Sequence, residues 1–119
     1  MIVIVFGVSG AGKTTIGKLL AKRLAWRFLE ADDFHPLANI EKMRSGRALT
    51  DEDRWPWLKL LREQIERSLA AKENAVLACS ALKRRYRERL RVSSDVKFVL
   101  LRGDYELIEK QLHSRRGIS

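Results

Sequence analysis

Eight consecutive residues near the start of the chain carry the most chemistry: Gly7-Val8-Ser9-Gly10-Ala11-Gly12-Lys13-Thr14. The order is a glycine, four free positions, a glycine, a lysine and a hydroxyl residue, which is the pattern of a phosphate-binding loop. Glycines let successive backbone N–H groups turn inward on anionic oxygens, and a helix starting there adds the partial positive charge of its N-terminus. Lys13 can then reach the β- and γ-phosphates of a nucleotide, and the Thr14 hydroxyl can ligate Mg²⁺. Thr15 completes the run assigned to the nucleotide. The alternative is a flexible glycine turn that binds nothing.

A second group of candidates closes the next apolar stretch, Arg27-Phe28-Leu29-Glu30-Ala31-Asp32. A phosphoryl-transfer site needs acid near the magnesium and near the attacking hydroxyl. Read as a strand through Asp32, this stretch points Glu30 and Asp32 to one face and Asp33 to the other. One of the two would orient magnesium-bound water and the other would accept a proton; as solvated acids they would merely cap the next segment. His35, ahead of Pro36, reads alone as a turn residue, and Arg54, Lys83 and Arg87 taken singly read as surface charge. Arg115 and Arg116 follow the last apolar-periodic segment, where a lid arginine can stabilise charge on a transferring phosphoryl group. Cys79, the one cysteine, reads as a small apolar residue at a strand end.

These residues need elements to hold them. Ile2-Val3-Ile4-Val5-Phe6 is a β-branched run suited to a strand buried on both faces. Apolar residues at 16, 19, 20 and 24 then predict a helix over about 13–26. A turn-rich stretch follows, with a short helix at Ile40 to Arg44 ended by Gly46. A long helix has Leu58, Leu61, Ile65 and Leu69 as its buried stripe; Pro56 predicts that Asp53 is its N-cap, so that the proline falls in the first turn. Strands at 75–79 and 96–101 enclose a basic helix at 81–91, and Tyr105, Ile108 and Leu112 mark a last helix. Alternating strands and helices predict an α/β fold with a doubly wound parallel sheet. With 119 residues the chain is read as one domain.

Composition excludes some classes. No apolar run approaches a membrane span, and no basic lead-in marks a signal peptide, so a cytoplasmic location is expected. The formal charge of +9 raises nucleic-acid binding through the basic helix. That helix has no RNA-binding signature, and a site for a polyanionic nucleotide needs cations too, so no nucleic-acid partner is expected.

On these residues the chain resembles the gluconokinase family of small P-loop kinases, relatives of shikimate kinase with a nucleoside-monophosphate-kinase-like fold. Beside the loop, the resemblance rests on Ala31-Asp32-Asp33-Phe34-His35-Pro36, Asn39 to Met43, Asp51-Glu52-Asp53-Arg54 and Pro56-Trp57-Leu58. It also rests on Cys79-Ser80-Ala81-Leu82-Lys83, Tyr86-Arg87, Leu101-Arg102-Gly103 and Arg115 to Gly117. It implies ATP-dependent phosphorylation of D-gluconate at its terminal hydroxyl, with Mg²⁺. Asp32 then orients and deprotonates the hydroxyl, and Glu30 stands where relatives carry aspartate near the magnesium. The resemblance turns His35, Arg54, Lys83 and Arg87 into substrate contacts, with Arg54 the best clamp for the carboxylate. Arg115 matches the lid arginine, and dimers are common among relatives, so a homodimer is the assembly it implies.

Relatives continue past this lid segment into a fifth strand and a terminal helix, whereas here Ile118-Ser119 follow Gly117. The expectation is a kinase domain cut at the lid: four strands, an uncovered edge on the fourth strand, and weak or absent turnover from this chain alone. The other readings are a related small-molecule kinase of shikimate or nucleotide type, or a non-catalytic nucleotide-binding fragment. Cys79-Ser80-Ala81-Leu82 stands where shikimate kinases carry a glycine-rich turn, which disfavours the first.

Overall fold

The computed structural model describes residues 1–7, 12–80 and 83–101; nothing of the side chain of Ser80 is described. Four strands form one parallel sheet: β1 (Ile2–Gly7), β2 (Arg27–Glu30), β3 (Ala75–Ser80) and β4 (Val96–Leu101). Their order is β2-β3-β1-β4. The register runs Ile2 against both Ala75 and Val96, and Gly7 against both Ser80 and Leu101. All four strands therefore end on one edge, and that edge holds the candidate residues.

Helices cover both faces, as the alternating pattern predicted. On one side, α1 (Gly12–Leu24) packs Ile16 and Ala21 against Val5, Val76 and Ala78. Gly17 permits the close approach, since a Cβ there would meet the Phe28 ring at 2.8 Å. On the other side, α3 (Asp51–Ala70) and α4 (Arg84–Leu90) cover Ile2, Ile4, Leu77 and Cys79 with Leu58, Leu61, Ile65, Tyr86 and Leu90. Between β2 and α3 lie a 3-10 turn (Ala31–Phe34) and α2 (Leu37–Arg44).

Two local expectations are corrected. Strand β2 stops at Glu30 and the chain turns at Ala31, so strand alternation does not relate Glu30 to Asp32. The N-cap of α3 is Thr50, not Asp53, and Pro56 lies inside the helix. Thr50 and Asp53 form a reciprocal capping box, Asp53 N to Thr50 Oγ1 at 3.2 Å and Thr50 N to Asp53 Oδ2 at 2.9 Å. An interior proline costs a helix about 3 kcal/mol. The cap contributes about 1 kcal/mol, and each buried Leu or Ile of the stripe about 1.5–3 kcal/mol. Packing thus outweighs the proline, and the helix gains a turn before it.

Candidate active site

At the sheet's carboxyl edge, β1 leaves through Gly7 at φ 154°, a conformation open to glycine, and α1 begins at Gly12. Val8, Ser9, Gly10 and Ala11 lie outside the described residues. Lys13 is buried in the first turn of α1. Beside it, the Thr14 hydroxyl donates to Glu30 Oε2 at 2.7 Å, which ties the start of α1 to the end of β2. Thr15 is exposed on the same turn.

A cleft of about 300 Å³ opens next to this edge, lined by Asp32, His35, Arg54, Trp57 and Tyr86 together with Met43 and Arg47 to Leu49. That is at the small end for a ligand site. Trp57 is its floor. The ring is buried, and its Nε1–H donates to the Ala31 carbonyl at 2.7 Å, pinning the 3-10 turn that carries Asp32. His35 lies flat on Trp57, with ring centroids 4.4 Å apart and planes 14° from parallel. Burial lowers the His35 pKa below 6.5; the Asp32 carboxylate opposes this and the Arg54 charge adds to it. The buried Asn39 of α2 bridges His35 Nδ1 and the Asp53 carbonyl.

Arg54 is held by a relay. Its Nη1 donates to the Leu49 carbonyl at 3.0 Å and to the Tyr86 hydroxyl at 3.4 Å. Tyr86 in turn donates to Asp51, which also accepts from Arg85 and has Lys83 Nζ 3.8 Å away. The Tyr86 hydrogen bond, then the Arg85 and Lys83 charges, hold the Asp51 carboxyl below its usual range. Two further cations of the basic run lie over aromatic rings: Arg87 over Phe6 and Arg89 over Trp55, 5.0 and 4.4 Å from the ring centroids.

Asp32, His35 and Arg54 are thus brought together. Lys83 and Arg87 are not among the described lining residues of the cleft; Lys83 faces Asp51, and Arg87 lies above the strand that leads into the loop. Arg115 lies outside the described residues. Cys79 is fully buried, and its thiol is pushed up to about 12, first by burial and then by the Asp32 and Glu30 carboxylates. It is no nucleophile. Glu30, bonded to Thr14 at the start of α1, stands two residues before Asp32, which lines the cleft, so the cleft adjoins the start of α1. Tyr86, Asp51 and Trp57 were not foreseen as parts of the site, because their roles arise from contacts 26–35 residues apart in sequence.

A protein-family model described as an AAA domain matches residues 2–118. A gluconokinase of Arabidopsis thaliana is 49% identical over 125 residues, covering 96% of this chain and 66% of that protein. A probable gluconokinase of Xenopus tropicalis is 46% identical, covering 98% and 70%. The crystal structure of a gluconokinase from Sinorhizobium meliloti 1021 superimposes with a TM-score of 0.73 at 44% identity, covering 97% of this chain and 65% of that one. The chain spans about two thirds of the length of these relatives.

Proposed function

The chain belongs to the gluconokinase family of P-loop kinases, and we propose that it transfers the γ-phosphoryl group of ATP to the terminal hydroxyl of D-gluconate. The carrying observation is the cleft that joins a carboxylate, an imidazole and a guanidinium, Asp32, His35 and Arg54, next to the Thr14–Glu30 bond at the start of α1. Gluconate is a polyhydroxylated carboxylate: it needs a cation for its acid and paired donors and acceptors for its hydroxyls. Arg54 offers a planar fork for the carboxylate. Asp32 accepts the hydrogen of the attacking hydroxyl and holds its oxygen in line.

Gly7 to Thr15 hold the nucleotide, with Lys13 on its phosphates. Thr14 and Glu30 supply hard oxygen donors already within 2.7 Å of each other, a set that suits Mg²⁺, which keeps water and phosphate as its other ligands. When bound, Mg²⁺ neutralises phosphate charge. Lys83 and Arg87 are assigned as further substrate contacts, and Arg115 as the lid arginine. Residues 1–119 are read as one kinase domain of a cytoplasmic protein that forms homodimers; among the described residues no helix is long and apolar enough to cross a membrane.

Incubation with ATP, Mg²⁺ and gluconate, followed by ³¹P NMR, tests the reading. A phosphomonoester on the terminal carbon is expected, and none with gluconate lacking that hydroxyl. Transfer to shikimate in preference to gluconate would overturn the assignment.

A further inference from the structure

The buried amide of Asn39 decides which nitrogen of His35 carries hydrogen. Its Nδ2 stands 2.8 Å from the Asp53 carbonyl oxygen and 3.2 Å from His35 Nδ1. A backbone carbonyl only accepts, so the amide atom facing Asp53 is the nitrogen, and the orientation of the amide follows. One amide hydrogen goes to Asp53. The second, on the same nitrogen, is left for His35, whose Nδ1 accepts it through its lone pair. An imidazole that accepts at Nδ1 and is neutral carries its hydrogen on Nε2. That nitrogen is the one 4.0 Å from Asp32 Oδ1, and both residues line the cleft.

We propose that Asn39 is a positioning residue that locks His35 in the neutral Nε2–H tautomer, so that the cleft presents a fixed donor beside the Asp32 acceptor. A hydroxyl both donates and accepts, and it satisfies the pair: its hydrogen goes to Asp32 and its oxygen receives Nε2–H. A carbonyl gives Asp32 nothing, and an ammonium meets Nε2–H as donor against donor. The pair therefore selects hydroxyls. With Nε2 already protonated, His35 cannot take the substrate's proton there, which leaves that role to Asp32.

The groups around His35 agree. Asp32 faces it from the 3-10 turn and favours a protonated ring, Arg54 faces it from α3 and disfavours one, and burial against Trp57 disfavours one further. Behind Asn39 stands the Lys42–Asp53 ion pair at 2.6 Å, which joins α2 to α3 and keeps the amide in place. A second ring proton at Nδ1 would point at the amide hydrogens of Asn39. The ligand preference rests on the hydroxy-acid reading of the cleft; the tautomer does not.

Imidazole ¹⁵N NMR of the ligand-free protein near neutral pH tests the lock. The chain has two histidines, His35 and His113, which a His35→Gln variant assigns. His35 is expected to show an unprotonated Nδ1 and a protonated Nε2; a protonated Nδ1 in the wild-type protein overturns the proposal. In Asn39→Asp the new carboxylate accepts from Nδ1, so Nδ1 becomes protonated; at a pH where the ring is neutral Nε2 then loses its hydrogen and gluconate affinity falls about tenfold, with nucleotide affinity within about twofold. Should that variant fail to fold, Asn39→Ser removes the amide and is expected to give a mixture of tautomers. An unchanged tautomer in a folded variant refutes the role of Asn39. If wild-type His35 shows the expected tautomer and gluconate does not bind, the hydroxy-acid reading falls and the tautomer assignment stands.

Discussion

The glycine-rich run and the Asp32–His35–Arg54 cleft, proposed to hold phosphate and hydroxy acid, lie at one edge of one sheet, yet they are built by opposite means. Gly7 to Thr15 is a contiguous run in the sequence between β1 and α1, and its proposed hold on phosphate draws on local backbone and a helix start. Asp32, His35, Arg54, Trp57 and Tyr86 come from the 3-10 turn, the link from it to α2, and helices α3 and α4. Four of the five are held by a hydrogen bond to somewhere else: Trp57 to Ala31, His35 to Asn39, Arg54 to Leu49 and Tyr86, Tyr86 to Asp51. A contiguous backbone site depends on the strand and helix around it. An assembled side-chain site depends on every support, and so it can be loosened in steps while the phosphate end stays intact.

The sharpest break removes Lys13. Lys13→Ala is expected to lower phosphoryl transfer by at least about a hundredfold, as for other donors aimed at developing charge. Gluconate affinity, read by calorimetry, should stay within about twofold. A parallel loss of gluconate binding would mean that the two regions are one cooperative unit.

The converse is Arg54→Ala. Loss of a charge-assisted hydrogen bond of about 1.5–3 kcal/mol predicts a rise in gluconate KM of about ten- to a hundredfold, with nucleotide KM unchanged. Arg54→Lys should recover little of it, because a point charge cannot reproduce the fork. An unchanged gluconate KM would move the carboxylate clamp to Lys83 or Arg87.

The same contrast explains what could be read from the sequence. The phosphate end and the parallel sheet were legible because their information is local: a strand run, glycine spacing, helical periodicity. Asp32 stood out by closing an apolar stretch, whereas His35 and Arg54 were singled out only through family resemblance; taken singly, their types and positions fit turn and surface residues. The relay from Arg54 through Tyr86 to Asp51 leaves no local trace, since Tyr86 stands in a basic run and Asp51 among helix-start acids. Pro56 misled in the same way. Its local rule is sound, but burial of the α3 stripe against the sheet outweighs it, and that burial is a property of the folded chain.

A gentler break tests the relay. Tyr86→Phe keeps the ring against Arg54 and Trp55 and removes the hydroxyl between Arg54 and Asp51. Arg85 and Lys83 still neutralise Asp51. One hydrogen-bonding group removed corresponds to about 1 kcal/mol, so gluconate KM should rise about three- to tenfold, with kcat nearly unchanged. An effect as large as that of Arg54→Ala would show that Arg54 has no hold on the substrate without the relay.

The smallest expected effect lies in acid stability, where the cleft again stands apart. The folded protein holds the His35 pKa below 6.5, chiefly by burial. Below pH 6.5 the unfolded chain therefore binds a proton that the folded cleft refuses, and stability falls as the pH drops toward the folded value. Asp53 acts lower. The Lys42 hydrogen bond and then the Thr50 backbone N–H bring its carboxyl from 3.8 to about 2, so its contribution is full above pH 3.8 and is lost as the pH falls through about 2. Thermal melts between pH 7.5 and 5 should show Tm declining in the wild-type protein and a shallower decline in His35→Gln. Asn39→Asp, with the His35 pKa raised by a carboxylate at Nδ1, should flatten or reverse that slope. An identical slope in all three proteins would remove His35 as the group responsible, and with it the claim that the cleft, rather than the phosphate end, sets the response to mild acid.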